Sequence, residues 1–356
     1  MNKLTFFMGS YTEYLMSDFG GIGNGISIGQ LNLNTGKLKV LDTYPVRNPS
    51  YLTISKDNRF LYGITELHEK EKPKVKAYYI NDDFSLEFLN EQTISGIYPC
   101  HLKIFDKNVL VVCYGTGNVI QFPLDATGKL MKSLATYHHK GSSINKTRQE
   151  GPHAHQVVIH PNQEDIFVCD LGIDIIKAYQ FYNGKLVPNE QKDITLTKGG
   201  GPRHMVFDKE GKLGYVLNEL SSNISVVQLF DDVFEEVFTI PTLPLDDQRI
   251  PSASAIRLHP NGKFLYTANR GAELISIFSI SGAQLIGYQY TKGQELREFN
   301  ITPNGKWLIA CHQNSHETVV FEIMKNGTLS EKYRTKEILS PVCLTFPSCH
   351  KNTIPS

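Results

Sequence analysis

Two histidines, His153 and His155, stand two residues apart in the stretch GPHAHQVVIHPN, directly before a short apolar run. Arg203 occupies a similar stretch, GPRHMVF, about 50 residues later. Glu219 and Arg270 each follow an aromatic-rich run. An imidazole can exchange a proton near neutral pH, and guanidiniums bind anionic groups or a developing oxyanion. With one carboxylate, these residue types suit an anionic ligand whose carbonyl carbon is attacked or deprotonated.

The elements that must position these residues recur along the chain as copies of one pattern. Each copy has a proline or polar opening, a short apolar run, a polar turn such as PNG, an aromatic-rich run and two further strand-like runs. The prolines recur about every 50 residues, a spacing typical of four-stranded propeller blades. They are Pro49, Pro99, Pro152, Pro202 and Pro251.

Six copies are visible, and a seventh is assembled from both ends of the chain. Segment 341–347 supplies its inner strand, and segments 3–11 and 26–38 supply the others. We therefore predict an all-β fold, a seven-bladed β-propeller with four antiparallel strands per blade, as a single domain over residues 1–356. The N- and C-terminal strands share a blade and close the ring. A helical fold is disfavoured, because no segment sustains a helical apolar period for three turns.

Equivalent positions of the copies indicate where a site forms. The inner strand starts, and the antiparallel second strand ends, at the same mouth of the central channel. The position five residues before the first turn is polar in every copy, and most second strands end on polar residues. The first column contains Ser50, His101, His155, Arg203, Ser254 and Arg297. The second contains Thr65-Glu66, Cys113-Tyr114, Asp170-Leu171, Asn218-Glu219, Asn269-Arg270 and His312-Gln313.

We predict a site at this mouth in which His155, Glu219, Arg203 and Arg270 carry the chemistry. Neighbouring positions are predicted to contact the substrate. They are His153, His101, Arg297, Asn218, Asn269 and His312. Polar residues at strand ends often only face water, so the prediction depends on convergence from neighbouring blades rather than on any single residue.

Other features are weaker evidence for a site. His153 and His155 could bind a metal with a carboxylate, but one pair on one strand is little evidence and nearby arginines repel a cation. We expect no metal and no cofactor. The glycine run KGGGPRH lacks the helix and lysine of a phosphate-binding loop, so it is predicted to connect two blades, with a ligand contact left open. His160 and His259 are predicted to be turn or packing residues, and 138–150 to be a surface loop.

Composition disfavours several classes of function. Lys plus Arg and Asp plus Glu are 36 each, and this balance argues against a nucleic-acid or anionic-membrane binder. No stretch approaches about 18 apolar residues, and the N-terminal apolar run is too short for a signal peptide. The six cysteines form no CxxC pair, so they are expected to be reduced thiols of a cytoplasmic protein.

The blocks GPHAHQVVIHPN, GPRHMVFDKEGKLGYVLNE and HPNGKFLYTANR resemble the seven-bladed lactonase family, which includes propeller-type 6-phosphogluconolactonases and carboxymuconate cyclases. The resemblance covers nearly the whole chain. It implies lactone chemistry at one mouth of the channel, with His155, Arg203, Glu219 and Arg270 matching the set proposed for the cyclase branch. His153 matches the family's GPHxH block. The turn HPNQED departs from the commoner HPDGR type, which affects only a distal loop.

The resemblance favours hydrolysis of 6-phospho-D-glucono-1,5-lactone to 6-phosphogluconate, a step of the oxidative pentose phosphate pathway, by metal-free attack of water. Either Glu219 or His155 is the expected general base. Two alternatives stay open: a cycloisomerase or lactonase acting on another carboxylated lactone, and an interaction scaffold without chemistry. We expect an anionic sugar lactone as the ligand, no nucleic-acid or membrane partner, and a monomer or weak homodimer.

Overall fold

The computed structural model describes residues 2–17 and 19–348, and its strands form seven four-stranded antiparallel sheets, the blades of a ring. The blades are numbered in chain order, and their strands are given from the channel outward. Blade 1 contains Pro341–Thr345, Lys3–Ser10, Ile26–Asn32 and Leu38–Tyr44. Blade 2 contains Tyr51–Ile54, Phe60–Ile64, Lys74–Ile80 and Leu86–Thr93. Blade 3 contains Pro99–Phe105, Asn108–Cys113, Asn118–Pro123 and Ala135–His138.

The remaining blades follow the same order. Blade 4 contains Ala154–Ile159, Asp165–Asp170, Ile175–Tyr182 and Lys185–Pro188, and Ile194–Thr195 also pairs with its third strand. Blade 5 contains Pro202–Phe207, Leu213–Asn218, Asn223–Phe230 and Val233–Pro241. Blade 6 contains Ala253–Leu258, Phe264–Asn269, Leu274–Ser279 and Gln284–Tyr290. Blade 7 contains Leu296–Ile301, Trp307–His312, Glu317–Ile323 and Leu329–Thr335.

A few short elements lie outside the blades. A small hairpin pairs Tyr14–Met16 with Phe19–Gly20. The short 3-10 helices are Glu69–Glu71, Glu190–Lys192 and Ser281–Ala283. Within the described part of the chain, no helix has the length and apolar character needed to cross a membrane.

Both ends of the chain complete blade 1. Pro341–Thr345 pairs antiparallel with Lys3–Ser10, with Phe7 opposite Thr345 and Met8 opposite Leu344. Each inner strand also contacts the inner strands of the blades on either side, which closes the ring. The predicted all-β fold of seven blades with one shared blade is confirmed.

Aromatic side chains of the second strands tie neighbouring blades together. Tyr62 and Tyr266 are fully buried, and their hydroxyls donate to the carbonyl oxygens of Gly128 and Gly327 in the next blade, at 2.8 Å each. Both glycines have a positive φ, and a Cβ at Gly128 would overlap the ring of Phe60. The outer turns therefore need glycine in order to approach the adjacent sheet this closely.

The histidines of the inner turns also join blades. His160 Nε2 donates to the Gly211 carbonyl and His259 Nε2 to the Gly305 carbonyl, at 2.8 Å in both cases. Each carbonyl belongs to the equivalent turn of the following blade. The prediction that these two histidines are turn or packing residues is confirmed.

A β-bulge interrupts the inner strands of blades 3 to 7 close to their start, where two residues face one on the second strand. Such a bulge re-aims a side chain and bends the strand locally. The bulged residues are Cys100, His155, Arg203, Ser254 and Arg297.

Candidate active site

Bulged residues of the inner strands and residues that follow the second strands enclose a cavity of about 320 Å³, which we call the proximal cavity. It lies at the channel mouth where the inner strands begin. Pockets for small molecules typically measure about 300–1,000 Å³, so the cavity suits a compact ligand. Its charged lining residues are Glu66, Arg148, Arg203, Glu219, Arg270 and Arg297.

Glu219 contacts three guanidiniums. Arg203 Nε lies 2.9 Å and Arg270 Nη2 lies 3.0 Å from Glu219 Oε2. The other carboxylate oxygen, Oε1, accepts a hydrogen bond from Arg148 Nη2 at 2.7 Å. Glu219, Arg203 and Arg270 are buried, whereas 42% of the Arg148 side chain is exposed. The carboxylate thus holds two enclosed guanidiniums and one that is open to solvent.

These contacts set the protonation of the charged groups. Burial alone would raise the pKa of Glu219, but the guanidiniums of Arg270, Arg203 and Arg148 outweigh it and hold the pKa well below its ordinary value. Burial and the neighbouring Arg270 lower the pKa of Arg203 to about 10, so Arg203 is still charged at neutral pH. The Glu219 carboxylate therefore stays ionised and is a weak proton acceptor.

His155 brings an uncharged imidazole to the same cavity. Burial and the nearby Arg203 hold its pKa well below the ordinary histidine value. Its Nδ1 lies 4.0 Å from Cys100 Sγ, and burial raises the pKa of that thiol, which stays protonated. A neutral imidazole has one ring nitrogen without a proton, so His155 can accept a proton from a ligand or from water.

Arg297 is held in a second network. Its Nη2 donates to the Tyr11 hydroxyl at 2.8 Å, and that hydroxyl donates to Glu66 Oε2 at 2.7 Å. The guanidinium also lies over the rings of Tyr11 and Phe19, 5.1 and 5.0 Å from their centroids. Phe19 belongs to the small hairpin after the second strand of blade 1, so this hairpin forms part of the cavity wall.

The structure brings together five of the residues that the sequence predicts for the site. They come from the consecutive blades 4 to 7, and their predicted roles stay predictions. They are His155, Arg203, Glu219, Arg270 and Arg297.

His101 does not line the proximal cavity. The sequence prediction counts five residues back from the turn, but in blade 3 the bulged residue lies one position earlier. The first hairpin of that blade turns through two residues, 106–107, whereas blade 4 uses five, 160–164. The bulge therefore falls on Cys100. His101 lies deeper in the channel, with its ring centroid 6.1 Å from that of His204. His101 is therefore not among the residues that would contact a ligand in the proximal cavity.

Three other predicted substrate contacts, Asn218, Asn269 and His312, also lie outside the cavity lining. Consecutive strand residues point to opposite sides, and the cavity side is taken by the residue that follows each strand, as Glu219 and Arg270 show. The three side chains are buried and hydrogen-bonded to residues of their own blade or to a threonine that follows the outer strand of the preceding blade. Their partners are Asn223 and Ser225 for Asn218, Thr242 for Asn269, and Thr291 for His312.

His153 packs against Tyr114 rather than lining the cavity. The two rings stack with centroids 4.4 Å apart, and His153 Nδ1 donates to the Tyr114 carbonyl at 2.9 Å. Its backbone N–H donates to Asp170 Oδ1 at 2.7 Å. The expectation that His153 and His155 share one face requires an uninterrupted strand. The strand begins only at Ala154, and His155 is bulged.

Arg148 is the charged group of the site that the sequence does not reveal. It lies in segment 138–150, for which the sequence predicts a surface loop, and it also donates to the Tyr114 hydroxyl at 3.1 Å. No other copy shares this insertion, so no column points to it. The sequence could have predicted Glu66 and Tyr114 as site residues, since they occupy the same column position as Glu219.

The glycine run between blades 4 and 5 has an internal partner. The backbone N–H groups of Gly199 and Gly201 donate to the carboxylate of Asp174 at 2.6 and 2.8 Å. A side chain of the protein therefore occupies the place that an anion takes in a phosphate-binding loop. The structure supports the predicted connecting role. Both N–H groups already donate to Asp174, so they are not available to a ligand.

Glu219→Gln is expected to lower the free energy of unfolding by about 3 kcal/mol, because two buried guanidiniums lose their counter-charge. Urea unfolding at pH 7 measures this difference. The difference should shrink below about pH 4.3, since a carboxyl with a lowered folded-state pKa loses its stabilising contribution as pH falls from the unfolded-state value.

Glu295→Gln is the matched control for this prediction. Its carboxylate is 28% exposed and lies 3.4 Å from Arg270 Nη1, so we expect a loss below about 1 kcal/mol. Equal losses for the two variants would contradict the central position of Glu219.

Comparison with known proteins agrees with this architecture. The family model for the seven-bladed β-propeller lactonases matches residues 5–346. The 6-phosphogluconolactonase of Bacillus subtilis (strain 168) is 30% identical over 359 aligned residues, which cover 97% of this chain and 99% of the relative. A candidate 6-phosphogluconolactonase of Bacteroides fragilis, known from its crystal structure, is 31% identical with a TM-score of 0.89, covering 97% and 98%.

A more distant structure shares the fold. The periplasmic gluconolactonase of Pseudomonas aeruginosa is 24% identical and superimposes with a TM-score of 0.89, covering 97% of this chain and 99% of its own. The family match spans nearly the whole described chain, and the relatives align over almost their full length. The chain therefore belongs to the lactonase family of seven-bladed β-propellers, and it is an enzyme of that class.

Proposed function

We propose that this lactonase hydrolyses 6-phosphoglucono-1,5-lactone to 6-phosphogluconate. The observation that carries the proposal is the positive charge of the proximal cavity, where four guanidiniums face two carboxylates and a third carboxylate, Glu295, pairs with Arg270 from outside the lining. A phosphate monoester carries about −1.5 to −2 at neutral pH, so this positive cavity favours a phosphorylated sugar lactone over an uncharged one. The Bacillus subtilis relative that bears the name 6-phosphogluconolactonase supports the same substrate.

His155 is the general base in the proposed mechanism. Its neutral imidazole accepts a proton from a water molecule while the water oxygen bonds to C1 of the lactone, and the carbonyl oxygen becomes an oxyanion. Glu219 is less suited to this role, because the guanidiniums around it hold its pKa low. Glu219 instead orients the guanidiniums that face the reacting carbonyl.

Collapse of the tetrahedral intermediate completes the reaction. The bond between C1 and the ring oxygen breaks, and the His155 imidazolium returns its proton to that oxygen. The new carboxylic acid then ionises and releases one proton to solvent. Arg203 and Arg270 are the proposed stabilisers of the oxyanion, since cationic donors held in place inside an enclosed site stabilise charge as it develops.

Arg148 and Arg297 are the proposed phosphate ligands. Arg148 is partly exposed to solvent, so its guanidinium can contact a phosphate group without leaving a buried environment. The Arg297 guanidinium is oriented by the Tyr11 hydroxyl and by two aromatic faces. Guanidiniums bind phosphate oxygens through paired charge-assisted hydrogen bonds, which suits this assignment.

A coupled assay with freshly prepared 6-phosphogluconolactone, corrected for spontaneous ring opening, tests the proposal. Two charge-assisted contacts predict a kcat/KM about 100-fold above that for unphosphorylated glucono-1,5-lactone. Equal turnover of both lactones would overturn the phosphate assignment. Faster turnover of a carboxylated muconolactone would favour the cyclase-like alternative.

The pH dependence of turnover tests the role of His155. We expect kcat/KM to be constant between about pH 6.5 and 8 and to fall only in more acidic solution, because protonation of an imidazole with a lowered pKa removes the base. Unphosphorylated glucono-1,5-lactone is the substrate for this measurement, because the second ionisation of a phosphate group, at about pH 6, would add its own pH dependence. A decline that begins between pH 8 and 7 would contradict a base of lowered pKa.

The setting of the enzyme is part of the proposal. We place it in the cytoplasm, in the oxidative pentose phosphate pathway, as a monomer or weak homodimer. The cysteines Cys100, Cys113, Cys169, Cys311 and Cys343 are free and buried, which is usual for proteins of reducing compartments. Cys349 lies outside the described residues. Sedimentation equilibrium at micromolar concentration distinguishes a monomer from a larger assembly.

A further inference from the structure

A second cavity, of about 550 Å³, opens at the other mouth of the channel, where the inner strands end. We call it the distal cavity. It shares no lining residue with the proximal cavity, and no step of the proposed hydrolysis uses it. Its polar lining includes Tyr51, His101, Lys103, Arg257, Glu298 and Asn300.

A layer of rings separates the two cavities. The ring centroid of His204 lies 5.4 Å from that of His155 and 6.1 Å from that of His101, and Tyr51 lies 4.1 Å from His101. Burial holds the pKa values of His101 and His204 well below the ordinary histidine value, so these imidazoles are uncharged at neutral pH. The charges of the two cavities are thus separated by neutral groups.

The distal cavity contains a cation without a counter-charge. Arg257 Nη2 pairs with Glu298 Oε1 at 2.8 Å and lies 3.5 Å from the Tyr51 hydroxyl. Lys103 lies on the inner strand of blade 3, and its ammonium has no hydrogen bond or ion pair with any described residue. Two cations and one carboxylate leave one positive charge uncompensated. Lys103 also lines an adjoining groove, in which Lys56 and Lys107 are matched by Asp106 and Glu164.

The position of Lys103 favours an anion beside it. The Lys103 side chain is exposed to solvent at the distal mouth, so a ligand that enters there can reach it. Partial desolvation and the nearby Arg257 guanidinium lower the pKa of its ammonium. Two cations that face one cavity repel each other, and an anion between them relieves that repulsion.

We propose that the distal cavity is a second binding site, for a small oxyanion of the phosphate or carboxylate type held by Lys103 and Arg257. The ammonium supplies three donors on a flexible stem. The Arg257 guanidinium already donates to Glu298 and to the Ile256 carbonyl, so it adds its charge and its remaining N–H groups. Glu298 keeps Arg257 oriented and limits the excess to one positive charge, which suits a singly charged group. This site does not depend on the substrate proposed for the proximal cavity.

Isothermal titration of the full-length protein at low ionic strength tests the proposal, with inorganic phosphate and gluconate as separate probes. We expect the wild type to show a proximal and a distal binding event with at least one of them. Lys103→Met should weaken one event at least about tenfold, since it removes a charge-assisted contact. Its kcat/KM for the lactone should stay within about twofold of the wild type.

Lys107→Met is the matched control, because it removes the same charge near the same mouth outside the distal cavity. It should keep both binding events. A distal event with phosphate alone or gluconate alone assigns the chemistry of the site. The proposal is overturned if Lys103→Met binds both probes as the wild type does, or if neither probe shows a second binding event with the wild type.

A crystallographic measurement is independent of any variant. Crystals of the wild-type protein soaked with selenate should show an anomalous difference peak beside Lys103 in the distal cavity. A peak confined to the proximal cavity would contradict a second oxyanion site.

Discussion

Replacing His155 by asparagine is expected to lower kcat for 6-phosphogluconolactone by about 100-fold, because proton transfer by a positioned group contributes at least about this factor. KM should change little, since the imidazole acts on the attacking water rather than on the phosphate. The imidazole is neutral, so its removal leaves no buried charge unpaired and the protein should fold normally. The coupled assay with background subtraction measures the effect.

His160→Asn is the control for this prediction. It removes a buried imidazole at the other end of the same inner strand, where Nε2 donates to the Gly211 carbonyl. We expect a lower Tm but a kcat/KM within about twofold of the wild type, because the site is untouched. A His155→Asn enzyme with wild-type kcat would show that the base lies elsewhere, with Glu219 the next residue to test.

Arg148→Met is expected to lower kcat/KM for the phosphorylated lactone by about 30-fold and to leave unphosphorylated glucono-1,5-lactone almost unaffected. The change removes one charge-assisted contact to phosphate from a side chain that is partly open to solvent. Glu219 keeps its two buried partners, Arg203 and Arg270, so the reacting end of the site is preserved. The measurement is the ratio of kcat/KM for the two lactones.

Lys146→Met provides the matched control, since Lys146 is exposed in the same inserted segment and the change removes the same charge. Its ratio of kcat/KM values should equal that of the wild type. If Arg148→Met lowered the turnover of both lactones equally, Arg148 would act through Glu219 on the chemistry and not on the phosphate.

The two variants separate chemistry from recognition. Loss of His155 should reduce turnover of both lactones by a similar factor, because the same carbonyl is attacked in each. Loss of Arg148 should reduce only the one that carries a phosphate. The reverse pattern would require the two roles to be exchanged.

The columns of the repeat predicted part of the site for a physical reason. Each blade repeats the same strand pairing, so equivalent residues reach equivalent places, and His155, Arg203 and Arg297 all lie at bulges near the start of an inner strand. His101 was misplaced because the hairpin of blade 3 is shorter. Asn218 was misplaced because it and Glu219 point to opposite sides of the strand end.

The repeated pattern in the sequence is enough to predict the ring. Seven copies of one local pattern, with apolar alternation and turn residues at regular spacing, can satisfy their backbone and bury their faces only by stacking against each other. That information is local, and it is repeated in every blade. It therefore predicted the all-β fold, the shared blade and the mouth at which charged residues converge.

The pairs of side chains that meet in the site become visible only in the folded ring. The contact of Arg148 with Glu219, and the chain from Arg297 through Tyr11 to Glu66, join residues that are distant in sequence and belong to insertions or different blades. Bulges and hairpin lengths also shift a side chain by one position, as at Arg297 and His101, and one position reverses the side on which it lies. No local pattern in the sequence records that shift, because it arises when the sheets pack around a common axis.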